Sequence, residues 1–392
     1  MDIKKDIFNY IEHNCDELLE MARFIYDNPE TGMQEYLAAS KLEDYLHKEG
    51  FAVEAGVGGL ETAFRAVYQK GSGGPSIGLL CEYDALKGIG HACGHHMQGP
   101  AILLAACALK NAYQIGNFKL VVYGTPAEEG LGGKIIMNDN GCFNDIDIAL
   151  MFHGMTATIV DIRSYAMREY QIEFFGKSSH AALFPYEGRS AFDAALLSFN
   201  GTEFLREHVK DDTRIHYSIN EPVGPANVVP DHVTAEFILR SYSQKYLNEL
   251  EYRLENIVKG AALMTETTYK ITQRSAYMPK VPVFKLNDLL MDNARLVDAP
   301  NIQPPIQQSG STDFATVMYK VPGSVIRVAF APEGAGVHSK EFLEAGKTEA
   351  ANNAILIAAK ILSATAYDII SNPALLKELQ DEFQRNKAQM EA

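Results

Sequence analysis

Basic side chains are in short supply: 35 Lys and Arg stand against 50 Asp and Glu, a formal net charge of −15 at pH 7. That balance repels phosphate backbones and anionic lipid, so no nucleic acid and no membrane is expected as a partner. Long hydrophobic runs are missing too, and no stretch reads as the roughly 20 apolar residues of a spanning helix. The N-terminus opens Met-Asp-Ile-Lys-Lys-Asp and continues amphipathically, without the apolar centre of a secretory signal. Cysteine is sparse and odd in number, with Cys15, Cys81, Cys93, Cys107 and Cys142 irregularly spaced. This disfavours a disulfide framework and points to free thiols in a reducing cytoplasm, one of them available to a metal. The sequence has no internal repeat and no low-complexity tract.

What is present is an ordinary globular composition, 47% hydrophobic and 22% charged, over 392 residues. Two domains are the natural expectation at that length. Ile3, Ile7, Ile11, Cys15, Leu18, Ala22 and Ile25 recur every three or four residues and predict a helix over 3–26, stopped by Asn28-Pro29-Glu30. A second helix is expected over 35–49, then strands over 51–55, 62–69 and 77–83. An all-round apolar helix over 97–113 reads as buried. A strand over 118–123 leads to Glu128-Glu129, and another, 147–152, ends on His153. Continuous apolar strands alternating with helices indicate a mainly parallel sheet covered on both faces, where ligands bind beyond the carboxyl ends. From about residue 166 the order becomes βαββαβ, the pattern of a ferredoxin-like α+β sandwich. The αβ pattern then resumes with a helix over 283–296, a strand over 324–330 and a long helix over 347–364. The expected organisation is therefore a catalytic domain in two parts, 1–166 and 277–392, with an inserted lid or dimerisation domain over 167–276. The charged helix 373–391 is open to packing or to oligomerisation.

The chemistry centres on His91-Ala92-Cys93-Gly94-His95-His96. Cysteine and histidine this close together are common ligands for soft to borderline metals, although buried polar groups at a helix start give the same string. Glu128-Glu129 follows an apolar strand, where adjacent carboxylates can divide metal binding from proton transfer. His153 and His338 stand in comparable positions. With Cys93, His95 and Glu129 they make five ligands, enough for two metals sharing a bridge.

Seven segments in order carry a family resemblance: His91–His95, Pro126–Glu129, His153, Gly176-Lys177-Ser178-Ser179-His180-Ala181-Ala182, Asn227–Pro230, Gly310-Ser311-Thr312-Asp313-Phe314 and His338. Over residues 20–365 the chain resembles the dinuclear metallo-amidohydrolases and metallopeptidases related to aminoacylase and carboxypeptidase G. It is most similar to the branch of N-acyl-amino-acid, indole-acetyl-amino-acid and p-aminobenzoyl-glutamate hydrolases. The resemblance implies a zinc-peptidase-like catalytic domain that holds two divalent ions per subunit, zinc first, with manganese or cobalt as alternatives. It implies Cys93 as the bridging ligand, with His95, Glu129, His153 and His338 completing the metal shells. Glu128 would be the general base and acid, and His180 would stabilise the oxyanion, in relatives often from a partner subunit. Asn227 and Arg240 would meet a substrate carboxylate, with backbone donors from Gly310–Thr312, and Asp84 would orient a ligand. Lys87 and His96 depart from the branch's usual proline and aspartate, and His96 stands where it could compete for metal. The expected activity is cleavage of N-acyl amino acids or related small carboxylate-bearing amides by a cytoplasmic homodimer or higher homo-oligomer. A dipeptidase or aminopeptidase is the alternative within the class, and a non-catalytic metal-binding sensor the alternative outside it.

Overall fold

The computed structural model describes residues 2–391, which divide into two compact units: the chain up to Arg163 together with Lys280–Gln389, and Ser164–Pro279. In the first unit, α1 (Ile3–His13) and α2 (Asp16–Asp27) replace the single helix expected over 3–26. The Asn14 amide donates to the Tyr10 carbonyl and closes α1, while Asp16 and Glu17 begin α2 where acidic side chains favour a helix start. Cys15 stays buried at the junction, so the apolar spacing runs straight through the break and conceals it. After α3 (Tyr36–Lys48) come β1 (Ala52–Ala55), β2 (Phe64–Lys70), β3 (Ser76–Cys81), α4 (Gln98–Ala112), β4 (Phe118–Gly124) and α5 (Gly133–Asp139). β5 (Ile148–Met155) runs on past Phe152, so His153 lies inside the strand rather than after it. The short β6 (Asp161–Ser164) ends the segment.

The second unit is built from β7 (Ala166–Phe175), α6 (Ala191–Arg206), β8 (Arg214–Ile219), β9 (His232–Ser241), α7 (Gln244–Thr265) and β10 (Thr268–Tyr277). Its sheet has the order β10-β7-β9-β8 with antiparallel neighbours throughout, the ferredoxin-like arrangement. Val233, Ala235, Phe237 and Leu239 alternate along β9 into a core shared with Ile172, Leu250 and Leu254. Ser190 and Ser243 cap the two helices, each accepting a backbone N–H of the first turn.

The chain then returns to the first unit as α8 (Phe284–Leu296), β11 (Ile306–Ser309), α9 (Phe314–Lys320), β12 (Gly323–Ala329), α10 (Lys340–Ala345), α11 (Glu349–Ser371) and α12 (Pro373–Glu391). Among the described residues its main sheet has the order β1-β2-β4-β3-β5-β12. β4, β3, β5 and β12 are parallel, while β1 and β2 run antiparallel at one edge. Every residue of β3 is buried, as a strand covered on both faces requires. α4 is buried from Gln98 to Leu109 and packs against α11. α11 is longer and more apolar than its sequence pattern predicts: an 18-residue window reaches a mean hydropathy of 1.6, enough to span a bilayer by length and composition. That window is 67% buried, against α4, α1 and α8, as in the core helix of a folded domain. β3, β4, β5 and β12 all point their carboxyl ends the same way, and the loops that follow carry the chemistry.

Candidate metal centre

Cys93 and His95 lie in the loop between β3 and α4, on either side of Gly94. This glycine has φ +85°, and a Cβ there would press on Met97 Cε at 3.1 Å. The left-handed turn lets both neighbours face one centre. Glu128 and Glu129 follow β4, His153 enters from β5, and His338 comes from the loop after β12. His338 itself holds φ +70°, and its N–H donates to the Ala92 carbonyl. A non-glycine residue in that region is strained and persists only where its surroundings fix it.

These side chains converge. Ligand atoms of Cys93, His95 and His153 lie within 4.8 Å of one another, as do those of Cys93, Glu129 and His338. Cys93 therefore belongs to two ligand groups at once, with its Sγ 3.5 Å from His153 Nε2. His95, Glu128 and Glu129 form a further group. His95 Nδ1 is 3.1 Å from Asp84 Oδ1, while Asp84 Oδ2 accepts the Glu129 N–H at 2.9 Å. Asp84 so orients two ligands from behind. His95 Nε2 and Glu129 Oε1 are buried without a hydrogen bond of good geometry, although Glu82 Oε2 lies 3.2 Å from the former and His338 Nε2 3.3 Å from the latter. Orphaned lone pairs beside a thiol and imidazoles are what a cation needs, and the donor set suits a divalent transition metal.

The protonation states favour the same reading. Burial pushes the Cys93 thiol up to about 12, so a thiolate there depends on positive charge close by. Burial, with His95 beside it, holds His153 down at about 4, leaving a neutral imidazole that can donate a lone pair. Burial lowers His95 as well, but Cys93, Glu82 and Asp84 outweigh it and hold that imidazole well above the ordinary histidine value. Burial and the carboxylates of Glu82 and Asp313 hold Glu128 well above the usual carboxylate range. A carboxyl poised in this way suits proton transfer near neutral pH.

Three participants carry no role that the sequence alone assigns. Lys134 is fully buried, with Nζ 2.6 Å from Glu82 Oε1 and 2.7 Å from Asp313 Oδ1, and Glu82 Oε2 stands 3.2 Å from His95 Nε2. This ammonium neutralises acids that press on Glu128. The available signal was a lone lysine between glycines and an apolar helix, Gly132-Gly133-Lys134-Ile135-Ile136. His96 lies outside the cluster: its Nε2 is 2.9 Å from the Gly346 carbonyl and its ring meets Tyr26 edge-on.

The remaining candidates belong to the second unit. His180 is exposed, and its Nδ1 accepts from the N–H groups of Ala182 and Leu183. It forms a β-bridge with Val228, and the Asn227 carbonyl accepts the Ala181 N–H, so His180 and Asn227 are neighbours. Arg240 is not among them. It pairs with Met167 in the β7–β9 ladder, at the end away from His232.

Residues 78–366 match the model of Peptidase family M20/M25/M40. The chain belongs to this family. It is accordingly a metal-dependent hydrolase of amide bonds, with the family's fold and, around Cys93, a fitting ligand cluster. The mouse (Mus musculus) Xaa-Arg dipeptidase is 32% identical, aligned over 97% of this chain and 92% of that protein. One of the subunits of the p-aminobenzoyl-glutamate hydrolase of Escherichia coli K12 is 31% identical, over 98% and 95%. The fold is shared with the YXEP protein of Bacillus subtilis, described as a dinuclear metal-binding peptidase of the M20 family. That match has a TM-score of 0.70 at 18% identity, covering 91% of this chain and 98% of that one.

Proposed function

We propose that this M20 enzyme cleaves the amide between an acyl or aryl-acyl group and an amino acid that keeps a free carboxylate. Dipeptides are its second substrate class. The observation that carries the reading is Cys93 shared by two ligand groups, with Glu128 directly beside the ligand Glu129. Cys93, His95 and His153 would hold one divalent ion, and Cys93, Glu129 and His338 the other. Zinc suits the thiolate and imidazole set first, with manganese or cobalt as alternatives. When bound, such a pair supplies Lewis acidity toward a carbonyl and lowers the pKa of water.

Glu128 accepts the proton of the attacking water and returns it to the leaving nitrogen, which its raised proton affinity favours. Asp84 and Gly94 keep the ligands in place, and Lys134 limits the repulsion on Glu128 from Glu82 and Asp313. His180 donates to the developing oxyanion, and Asn227 and Arg240 meet the substrate carboxylate, Arg240 through its planar fork. Arg240 lies near the end of β9, eight residues or about 26 Å of strand rise from its start at His232, and Val228, the bridge partner of His180, lies before that start. A single small substrate cannot touch both ends of one such sheet. We therefore assign His180 and Asn227 to the site of a second copy in a homodimer or higher homo-oligomer, in a cytoplasmic enzyme.

The dipeptide class rests on the Xaa-Arg dipeptidase relatives, at 32% identity beside the p-aminobenzoyl-glutamate hydrolase relative at 31%. Both named substrates release an amino acid with a free carboxylate. Hydrolysis of p-aminobenzoyl-glutamate, N-acetyl amino acids, an indole-acetyl amino acid and Xaa-Arg dipeptides by one metal-loaded preparation ranks them by kcat/KM. The expected outcome is turnover of substrates with a free carboxylate and loss of rate on their esters or amides. Equal rates on the blocked substrates would remove the carboxylate from the proposal.

A further inference from the structure

Glu35 stands at the position before α3 where an acidic side chain normally accepts the helix's own N–H groups, yet it makes no such bond. Glu30 does that work instead, its carboxylate accepting from the N–H groups of Leu37 and Ala38. The Glu35 side chain is turned inward and fully buried. One oxygen accepts the Thr62 hydroxyl at 2.8 Å, and the other accepts the N–H of Ala127 at 2.9 Å.

Ala127 immediately precedes Glu128 and holds φ +58°, a conformation that side chains with a Cβ rarely adopt. Three further contacts close around it. Gly32 leaves room for the Ala127 methyl, since a Cβ on Gly32 would stand 2.9 Å from it. The Ala127 carbonyl accepts the Gly132 N–H, and two residues on Asp84 takes the Glu129 N–H. The turn bearing Glu35 is itself fixed to the loop after β3, where Ala85 N–H donates to the Glu30 carbonyl at 2.7 Å. Beyond the left-handed residue the two adjacent carboxylates share His95 as a neighbour, but Glu129 also groups with Cys93 and His338, whereas Glu128 groups with Glu82 and Asp313.

We propose that Glu35 is a positioning residue for amide hydrolysis: it holds Ala127 left-handed and thereby sets the base Glu128 and the ligand Glu129 toward their different partners around His95. The inference rests on the reading of Glu128 as the base. Its test compares wild type, Glu35→Ala, Glu35→Gln, Glu35→Ala with Ala127→Gly, and Glu128→Ala, each with bound metal measured. Glu35→Ala is expected to lose about 100-fold in kcat, the scale of an ångström misplacement, with KM and metal content held. Glu35→Gln keeps most of the rate, because its amide oxygen can take the Ala127 N–H while its NH2 reaches Thr62. Ala127→Gly restores part of what Glu35→Ala loses, because glycine enters the left-handed region without strain. Should Glu35→Ala not fold, Thr62→Val loosens the same carboxylate and is expected to lower kcat at constant KM. Wild-type kcat in Glu35→Ala or Thr62→Val overturns the proposal. So does a loss that follows metal content alone, or one that Ala127→Gly leaves untouched. Full activity of Glu128→Ala instead removes the base itself, an outcome distinct from failure at Glu35.

Discussion

In the absence of a cation, burial raises the Cys93 thiol to about 12, and against its own burial the His95 imidazole is raised by Cys93, Glu82 and Asp84, so the protonated forms of both are favoured. Both protons must leave before either side chain can donate a lone pair to a metal. Metal uptake should therefore release protons, and affinity should rise with pH because each raised pKa favours the protonated, non-binding form. Calorimetric titration of zinc or manganese in two buffers of different ionisation heat measures the release directly. A pH series gives the slope. Affinity that does not change with pH, with no protons released, would contradict this assignment of ligands. The neutral state of His153 adds nothing to the slope, since burial and His95 already hold it near 4.

Elements of the first unit are tied together by a buried cluster around Asp161 in β6. Lys280 donates to its Oδ1 at 2.9 Å, and Ser309 of β11 and Arg327 of β12 donate to its Oδ2 at 2.6 and 3.1 Å. Asn287 of α8 donates to its carbonyl. Burial disfavours the charged carboxylate, but Arg327 and Lys280 depress its pKa overall. A depressed carboxylate contributes stability that is present above the unfolded pKa of about 3.9 and is lost as pH falls through the folded value. Asp161→Asn at pH 7 should accordingly destabilise the fold by about 3–5 kcal/mol, because it strands the buried Lys280 ammonium. Urea unfolding at pH 7 checks this, and a change below about 0.5 kcal/mol would contradict it. None of this cluster was legible in the sequence. β6 and β11 are four residues each, too short for a periodic pattern, and their partners lie more than a hundred residues away. Lys134 and Asp313 pair over a similar distance. The parallel strands were legible because burial on both faces writes a continuous apolar run, and the second unit because its strands alternate. Cys93 and Glu128-Glu129 stood out because strand ends in such sheets collect ligands, whereas Glu35 resembled any helix-start acid.

At the scale of the whole molecule, the proposed homo-oligomer has a direct test. Arg240 lies at the end of β9 away from His232, whereas His180 bridges Val228 before the strand begins, and the proposal gives His180 to a neighbouring copy's site. Mixing two inactive proteins, Glu128→Ala and His180→Ala, and allowing subunits to exchange should then restore activity, since a mixed dimer contains one intact site. Two inactive variants that stay inactive after demonstrated exchange would place His180 outside its neighbour's site. Beneath all of this lies the division of labour between adjacent carboxylates, and it is tested most directly by metal content and turnover of Glu128→Ala and Glu129→Ala beside wild type. Glu128→Ala should keep its metal and lose about 10²–10⁴-fold in rate, the worth of a positioned base, while Glu129→Ala should lose metal. A Glu128→Ala protein that turns over at the wild-type rate, or a Glu129→Ala protein that keeps its full complement of metal, would contradict the account.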